Sequence, residues 1–184
     1  DQARSCAVFA SPHSGRNYSF SFLRSTVLDG HSIRSSEDAF VDLLFNSAPH
    51  FGAPFLMAGA PRAFLDLNRS RDELDPALIE GVRRQAHNPR VASGLGVIPR
   101  VVANGRSIYQ GKLTLDEARA RIATYWVPYH DMLQSLLNDA RADHGQAILV
   151  DCHSMPHEAM DGVARMGLKR PEVVLGDRFG AAAS

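Results

Sequence analysis

The chain has no surplus of charge: among its 184 residues, 20 Lys and Arg cancel 20 Asp and Glu. A polybasic face for nucleic acid or an acidic solvating tail would each leave one sign in excess, so small molecules are the expected partners. Cysteine is scarce as well. Two residues, Cys6 and Cys152, cannot build a disulfide framework and fit a reducing compartment at least as well as a single bridge. No window approaches the roughly 18 consecutive apolar residues of a membrane span. Residues 1–10 also lack the basic and long apolar regions of a signal peptide. These absences predict a soluble, cytoplasmic protein that binds neither nucleic acid nor membrane. What is present is 45% apolar residues, enough for one domain with a core, and eight His, which point to imidazole chemistry.

Four short apolar runs each lead into a polar, turn-rich cluster: Cys6 to Ala10, Ala63 to Leu67, Ala147 to Val150 and Val173 to Leu175. They read as buried strands with functional ends. Helical patterns lie between them, and the alternation predicts an α/β layer with a mostly parallel or mixed sheet. Ser35 or Ser36 caps a predicted helix whose Phe40, Val41, Leu44 and Phe45 share one face, with Glu37 and Asp38 in its first turn. A second short helix is expected after Asp75-Pro76. Thr114 with Glu117 is a capping box opening a helix through Ile122, Tyr125 and Trp126. Pro128 then kinks or restarts it, Leu133, Leu136 and Leu137 give its second half an apolar face, and Gly145 ends it. From Val91 to Gly111 the chain carries four Gly and one Pro, which predicts a long irregular loop or hairpin over the surface. The strand-like Val173 to Leu175 is followed by few residues, where an α/β unit should continue, so part of the C-terminus is expected to be missing.

His13, in Ser11-Pro12-His13-Ser14-Gly15, lies just past an apolar strand, where open α/β sheets place their ligand crevice. His153, in Asp151-Cys152-His153-Ser154, holds the same kind of position. Two such imidazoles can converge on one ion, and Asp38 from the start of a helix would complete the set, with adjacent Glu37 as its rival. Residues one apart on a helix point about 100° apart, so one of the two faces the ion and the other is a solvated cap. Two His and one carboxylate with an open position are the ligands of hydrolytic Zn2+, although the ligands are dispersed and hydrogen-bonded structural His is the competing reading. Asn68 and Arg69 follow the second run. Arg presents a planar fork to a carboxylate and Asn both a donor and an acceptor, so the pair suits an acidic substrate, or else closes a turn with Asp72 or Glu73. Arg62 is a second candidate for the substrate's other charge. Tyr129-His130 sits where the helix restarts, as a proton donor, an oxyanion partner or a helix-to-sheet contact.

Other chemistries are disfavoured. Gly30-His31-Ser32-Ile33-Arg34 has Arg where a nucleophile elbow needs Gly. Gly94-Leu95-Gly96 lacks the third glycine of a dinucleotide fingerprint, and no phosphate-binding P-loop pattern occurs. Cys152 and His153 are neighbours on a strand and point to opposite faces, which leaves Cys152 as an inert buried thiol.

Taken together, Ser11–Gly15, Ser36–Asp42, Phe64–Arg69, Ile108–Leu113, Val127–Leu133 and Val150–Pro156 resemble, in that order, the N-formylglutamate amidohydrolase family, from about Ala7 to Gly180. The resemblance implies a single zinc amidohydrolase domain over residues 1–184. Its fold would be the phosphorylase/hydrolase-like α/β fold, a mixed sheet flanked by helices, distantly akin to zinc carboxypeptidases. It implies hydrolysis of N-formyl-L-glutamate to formate and glutamate in histidine degradation, with a small acidic N-acyl amino acid as the partner. By position, His13, Asp38 and His153 match the metal ligands. Asn68-Arg69 is similar to the pair with which carboxypeptidases grip a substrate carboxylate. Family members continue to a late segment with a glutamate that the carboxypeptidase analogy makes the general base; without that segment, His130 is the fallback.

Overall fold

A computed structural model describes residues 5–83, 88–161 and 171–177. They belong to two compact units, residues 1–153 and residues 154–184, and the site is built from the first.

In that unit three strands form one parallel sheet in the order β2-β1-β3, with β1 Ala7–Ser11, β2 Phe55–Met57 and β3 Ile148–Asp151. The central strand β1 buries Val8, Ala10 and Ser11. The register pairs Ser11 with Met57 on one side and Ala10 with Asp151 on the other. Beyond that pair, the Cys152 N–H donates to the Ala10 carbonyl at 2.7 Å and carries the ladder one residue further. Strands β1 and β3 therefore run out at the same edge, and the segments after them start side by side. Parallel neighbours need crossovers. Between β1 and β2 lie α1 Phe20–Ser25 and α2 Val41–Leu44; between β2 and β3 lie α3 Pro89–Ala92, α4 Leu115–Arg121 and α5 Val127–His144. Helix α5 packs on β1. The α/β class expected from the alternation is the one found.

Helix α4 starts as its capping signal requires, with Thr114 Oγ1 accepting the Glu117 N–H at 3.1 Å. Pro128 has no N–H, and its ring would crowd the carbonyl four residues back. The chain answers with a π-helical turn over Ile122–Trp126, in which the Val127 N–H bonds to the Ile122 carbonyl, and α5 follows directly. Gly145, at φ 76°, adopts the left-handed conformation that ends α5.

Several expected elements take other forms. Ala63–Leu67 is not a strand. Its alternating Ala63, Leu65 and Leu67 are buried, as in a strand. However, the Leu65 N–H goes back to the Pro61 carbonyl and the Asp66 N–H to the Val97 carbonyl, so no ladder forms. The strand beside β1 is instead Phe55–Met57. The helix expected from Ser35 or Ser36 begins only at Val41, after Phe40 in the left-handed region at φ 64°. Of its four expected apolar positions, Val41 is buried while Phe40 and Leu44 are exposed. After Asp75-Pro76 there is a single turn, in which the Leu78 and Ile79 N–H groups share the Asp75 carbonyl. Residues 91–111 are largely irregular, with an antiparallel bridge between Val101 and Ser107, but they are not confined to the surface: Val97, Ile98, Val102 and Ile108 are core residues, next to the Arg100–Asp75 ion pair at 2.9 Å.

In the second unit, His157–Met160 forms a 3-10 turn. Val173–Leu175 is exposed and irregular, so the fourth expected strand is not present among the described residues. The rest of the ending, residues 178–184, lies outside them, as does the end of the resemblance at Gly180. No helix of the described residues is long and apolar enough to cross a membrane.

Candidate metal centre

The shared edge of β1 and β3 places His13 and His153 together, with ring centroids 4.8 Å apart. Asp38 joins them from the turn before α2 because its backbone N–H donates to the His13 carbonyl at 3.1 Å. One nitrogen of each imidazole and one oxygen of Asp38 lie within 4.8 Å of one another. Gly15 holds the same loop against the 59–60 backbone, where any Cβ would collide with the Ala60 carbonyl. His13 and Asp38 are buried, whereas the His153 side chain is 31% exposed, so the cluster opens on the His153 side.

Each histidine is braced by its own carboxylate. His13 Nε2 is 2.7 Å from Asp66 Oδ1, and His153 Nε2 is 2.9 Å from Asp151 Oδ2. Asp151 can do this because residues two apart on an extended chain point the same way. The opposite nitrogens turn to Asp38 Oδ2: His153 Nδ1 at 2.8 Å and His13 Nδ1 at 3.5 Å. The second contact is too long for a hydrogen bond, and buried His13 Nδ1 has no other hydrogen-bond partner. An orphaned buried nitrogen calls for an explanation, and a cation between the two Nδ1 atoms and Asp38 supplies one. Two imidazole nitrogens and a carboxylate oxygen, with outer carboxylates fixing each ring, form a donor set that fits Zn2+.

Among themselves, the cluster's imidazoles and carboxylates each favour the other's charged form, and an ion at His153 Nδ1 would take the place of a proton there. Hydrogen bonds to Asp151 and Asp38 raise the His153 pKa to about 9 against the opposing effect of burial. Burial alone would raise Asp38, yet the two imidazoles beside it hold its carboxyl well below the usual range. Burial also works against Asp66, but His13, Arg62 and the Asn68 N–H bring it down to about 2. Both carboxylates are thus negative near neutrality, as metal ligation and imidazole orientation require.

Between Glu37 and Asp38, the fold brings only Asp38 into the cluster. Glu37 turns to Arg34, 3.4 Å away, and to Tyr18, whose hydroxyl pKa rises through burial and the Glu37 contact. Asn68 is in place: its Nδ2 lies 3.3 Å from Asp151 Oδ2 and 3.1 Å from His153 Nε2. Arg69 folds back on its own segment, with Nη1 donating to the Asn68 carbonyl at 3.0 Å. Arg62 Nε donates to Asp66 Oδ2 at 3.1 Å, so Arg62 braces that carboxylate. His130 is not brought to the cluster. Its Nε2 donates to the Leu67 carbonyl at 2.9 Å and its ring lies against Trp126, a contact with a loop where contact with a sheet was the expected alternative to a proton-transfer role. Cys152 is buried, with burial and then the charge of Asp151 raising its thiol to about 11, in accord with an inert cysteine. Sequence reasoning gave no role to the bracing of His153 by Asp151; a carboxylate two positions before a strand-end histidine is the signal that could have found it.

Fold and site define the class: an α/β protein with a His/Asp/His donor set in the crevice at the carboxyl ends of parallel strands. The chain matches the model of the N-formylglutamate amidohydrolase family over residues 5–184, and it belongs to that family. It is 27% identical to the N-formylglutamate deformylase of Pseudomonas aeruginosa, over 95% of this chain and 60% of that protein. It is 28% identical to that of Pseudomonas putida, over 98% of this chain and 62% of that protein. The crystal structure of N-formylglutamate amidohydrolase from Ralstonia eutropha superposes with a TM-score of 0.82 at 34% identity, covering 98% of this chain and 64% of that one. A protein of Agrobacterium tumefaciens shares the fold, with a TM-score of 0.58 at 17% identity, over 83% of this chain and 53% of that one. The chain thus spans a little over three fifths of the length of the first three.

Proposed function

We propose that this chain carries the metal centre and part of the substrate site of a zinc-dependent amidohydrolase. The reaction is hydrolysis of the amide bond of N-formyl-L-glutamate to formate and L-glutamate, a step of histidine degradation. The convergence of His13, Asp38 and His153, in a chain of this family, carries the reading. His13, Asp38 and His153 would hold Zn2+, which would supply Lewis acidity to lower the pKa of a water to about 7 and to polarise a carbonyl oxygen.

The chain's own residues do the rest. Asp66 and Asp151 hold the two rings by their Nε2 atoms, so that both Nδ1 atoms turn toward Asp38, where an ion would be held. Asn68 closes the outer side of His153. Arg69, three residues after the acid that braces His13, swings out from the Asn68 carbonyl to take a substrate carboxylate with its planar fork. Binding the substrate's charged end there sets the formyl group at the cluster, and orientation of this kind is a large part of catalysis.

Release of the free amino acid from zinc-loaded protein is the test, with N-formyl-L-glutamate compared against N-acetyl and N-succinyl amino acids. Preference for the N-formyl compound supports the reading. Preference for another acyl group assigns a different deacylase, and zinc binding without any turnover assigns a binding role. Arg69→Ala is expected to raise KM about 10- to 100-fold while kcat changes less, the size of one lost charge-assisted contact. An unchanged KM contradicts the assignment of Arg69.

A further inference from the structure

Residues 66–69 carry three separate duties: Asp66 braces His13, Asn68 reaches Asp151 and His153, and Arg69 is assigned to the substrate. Yet this segment belongs to no strand or helix, so no ladder holds its peptide planes. Two of its amides are tied down, Asp66 N–H to the distant Val97 carbonyl at 2.8 Å and Asn68 N–H to Asp66 Oδ1 at 2.9 Å.

Its carbonyls are held from one place. Leu67 O accepts from His130 Nε2 at 2.9 Å, and Arg69 O accepts from Trp126 Nε1 at 2.8 Å. Asn68 O, between them, takes Arg69 Nη1 at 3.0 Å. Both ring donors come from one helical face. Trp126 closes the π-helical turn that Pro128 enforces, and His130 lies one turn later in α5. Their rings are in close tilted contact, with centroids 3.9 Å apart and an interplanar angle of 31°. Tyr129 meets the His130 ring edge-on at 5.5 Å and 79°. An indole offers a single hydrogen-bonding group, a donor, and here it is spent on the Arg69 carbonyl. The ring contact fixes both ring planes, so the two donors are presented as one rigid unit.

We infer that Trp126 and His130 form a two-ring clamp that fixes the peptide planes on either side of Asn68 and Arg69 and thereby sets where those side chains project. Both are positioning residues, acting through the 66–69 segment. The π-helical turn is part of the device, because it sets the azimuth at which Trp126 leaves the helix. The consequence for substrate binding rests on the reading of Arg69 given above.

The test uses Trp126→Phe, which keeps a ring for the contact and loses the N–H. His130→Leu loses ring contact and donor, and His130→Gln restores a donor. With N-formyl-L-glutamate, Trp126→Phe and His130→Leu are expected to raise KM about 5- to 10-fold, with kcat changing less than about 3-fold and zinc stoichiometry intact. His130→Gln should recover part of the loss. In the Arg69→Ala background, Trp126→Phe should add little, since the clamp acts through a side chain that is no longer there. Full additivity overturns the inference, as does an unchanged KM in Trp126→Phe. If the wild-type protein releases no formate, the reading of Arg69 fails but the clamp is still measured by amide hydrogen exchange. Trp126→Phe should then speed exchange at residues 66–69 about 5-fold or more, leaving β1 unchanged. Equal exchange in both proteins contradicts the clamp whatever the substrate.

Discussion

His153→Ala is expected to lose bound zinc and turnover together while the fold survives. His153 is the one member of the cluster with an exposed side chain, at 31%, so truncation opens the site to water without leaving a sealed cavity in the core. What goes with the ring is one ligand nitrogen and the partner of both Asp38 and Asp151. Two negative carboxylates then face each other with one imidazole fewer between them. Formate release should fall by about 1000-fold or more, with an unfolding midpoint close to that of wild type. Turnover retained in metal-free His153→Ala would remove the residue from the ligand set.

Asp66→Asn is expected to weaken zinc binding about 10- to 100-fold, the usual cost of losing the group that orients a ligand imidazole. Asp66 is only 2% exposed and accepts from His13 Nε2, Arg62 Nε and the Asn68 N–H. An amide keeps one oxygen for these donors and turns an N–H2 toward at least one of them, so part of the network is left unpaired where water cannot reach it. Stability therefore drops as well, in contrast to His153→Ala. Competition with a chromogenic chelator reads the affinity directly. Wild-type affinity in Asp66→Asn would mean that His13 needs no brace.

Much of this arrangement is legible in the chain, and the illegible parts have physical reasons. β1 and β3 stand out because Cys6–Ala10 and Ala147–Val150 are compact apolar runs ending in polar clusters, and those clusters hold His13 and His153. Thr114 and Gly145 announce their helix ends through local chemistry that tertiary contacts do not override. β2 is three residues long between Pro54 and Gly59, too short for a period to show. Ala63–Leu67 misleads because alternate burial looks the same whether a segment pairs in a sheet or folds back on Pro61. Glycine-rich residues 91–111 suggest surface, but Val97, Ile98 and Ile108 lie in the core on a backbone that Arg100 and Asp75 hold. In the site, spacing leaves Asp38 and Glu37 open, because the choice depends on a turn fixed by the His13 carbonyl. Trp126 and His130 act on backbone carbonyls, and every residue has one of those, so no residue pattern records their targets.

The role proposed for His13, Asp38 and His153 is to hold the ion on which deformylation depends. It is tested most directly by measuring zinc content and formate release from N-formyl-L-glutamate on the same protein as purified, after chelation and after zinc is returned. One zinc per chain is expected, with turnover lost on stripping and restored on reloading. Undiminished turnover from protein shown to be free of metal would contradict it.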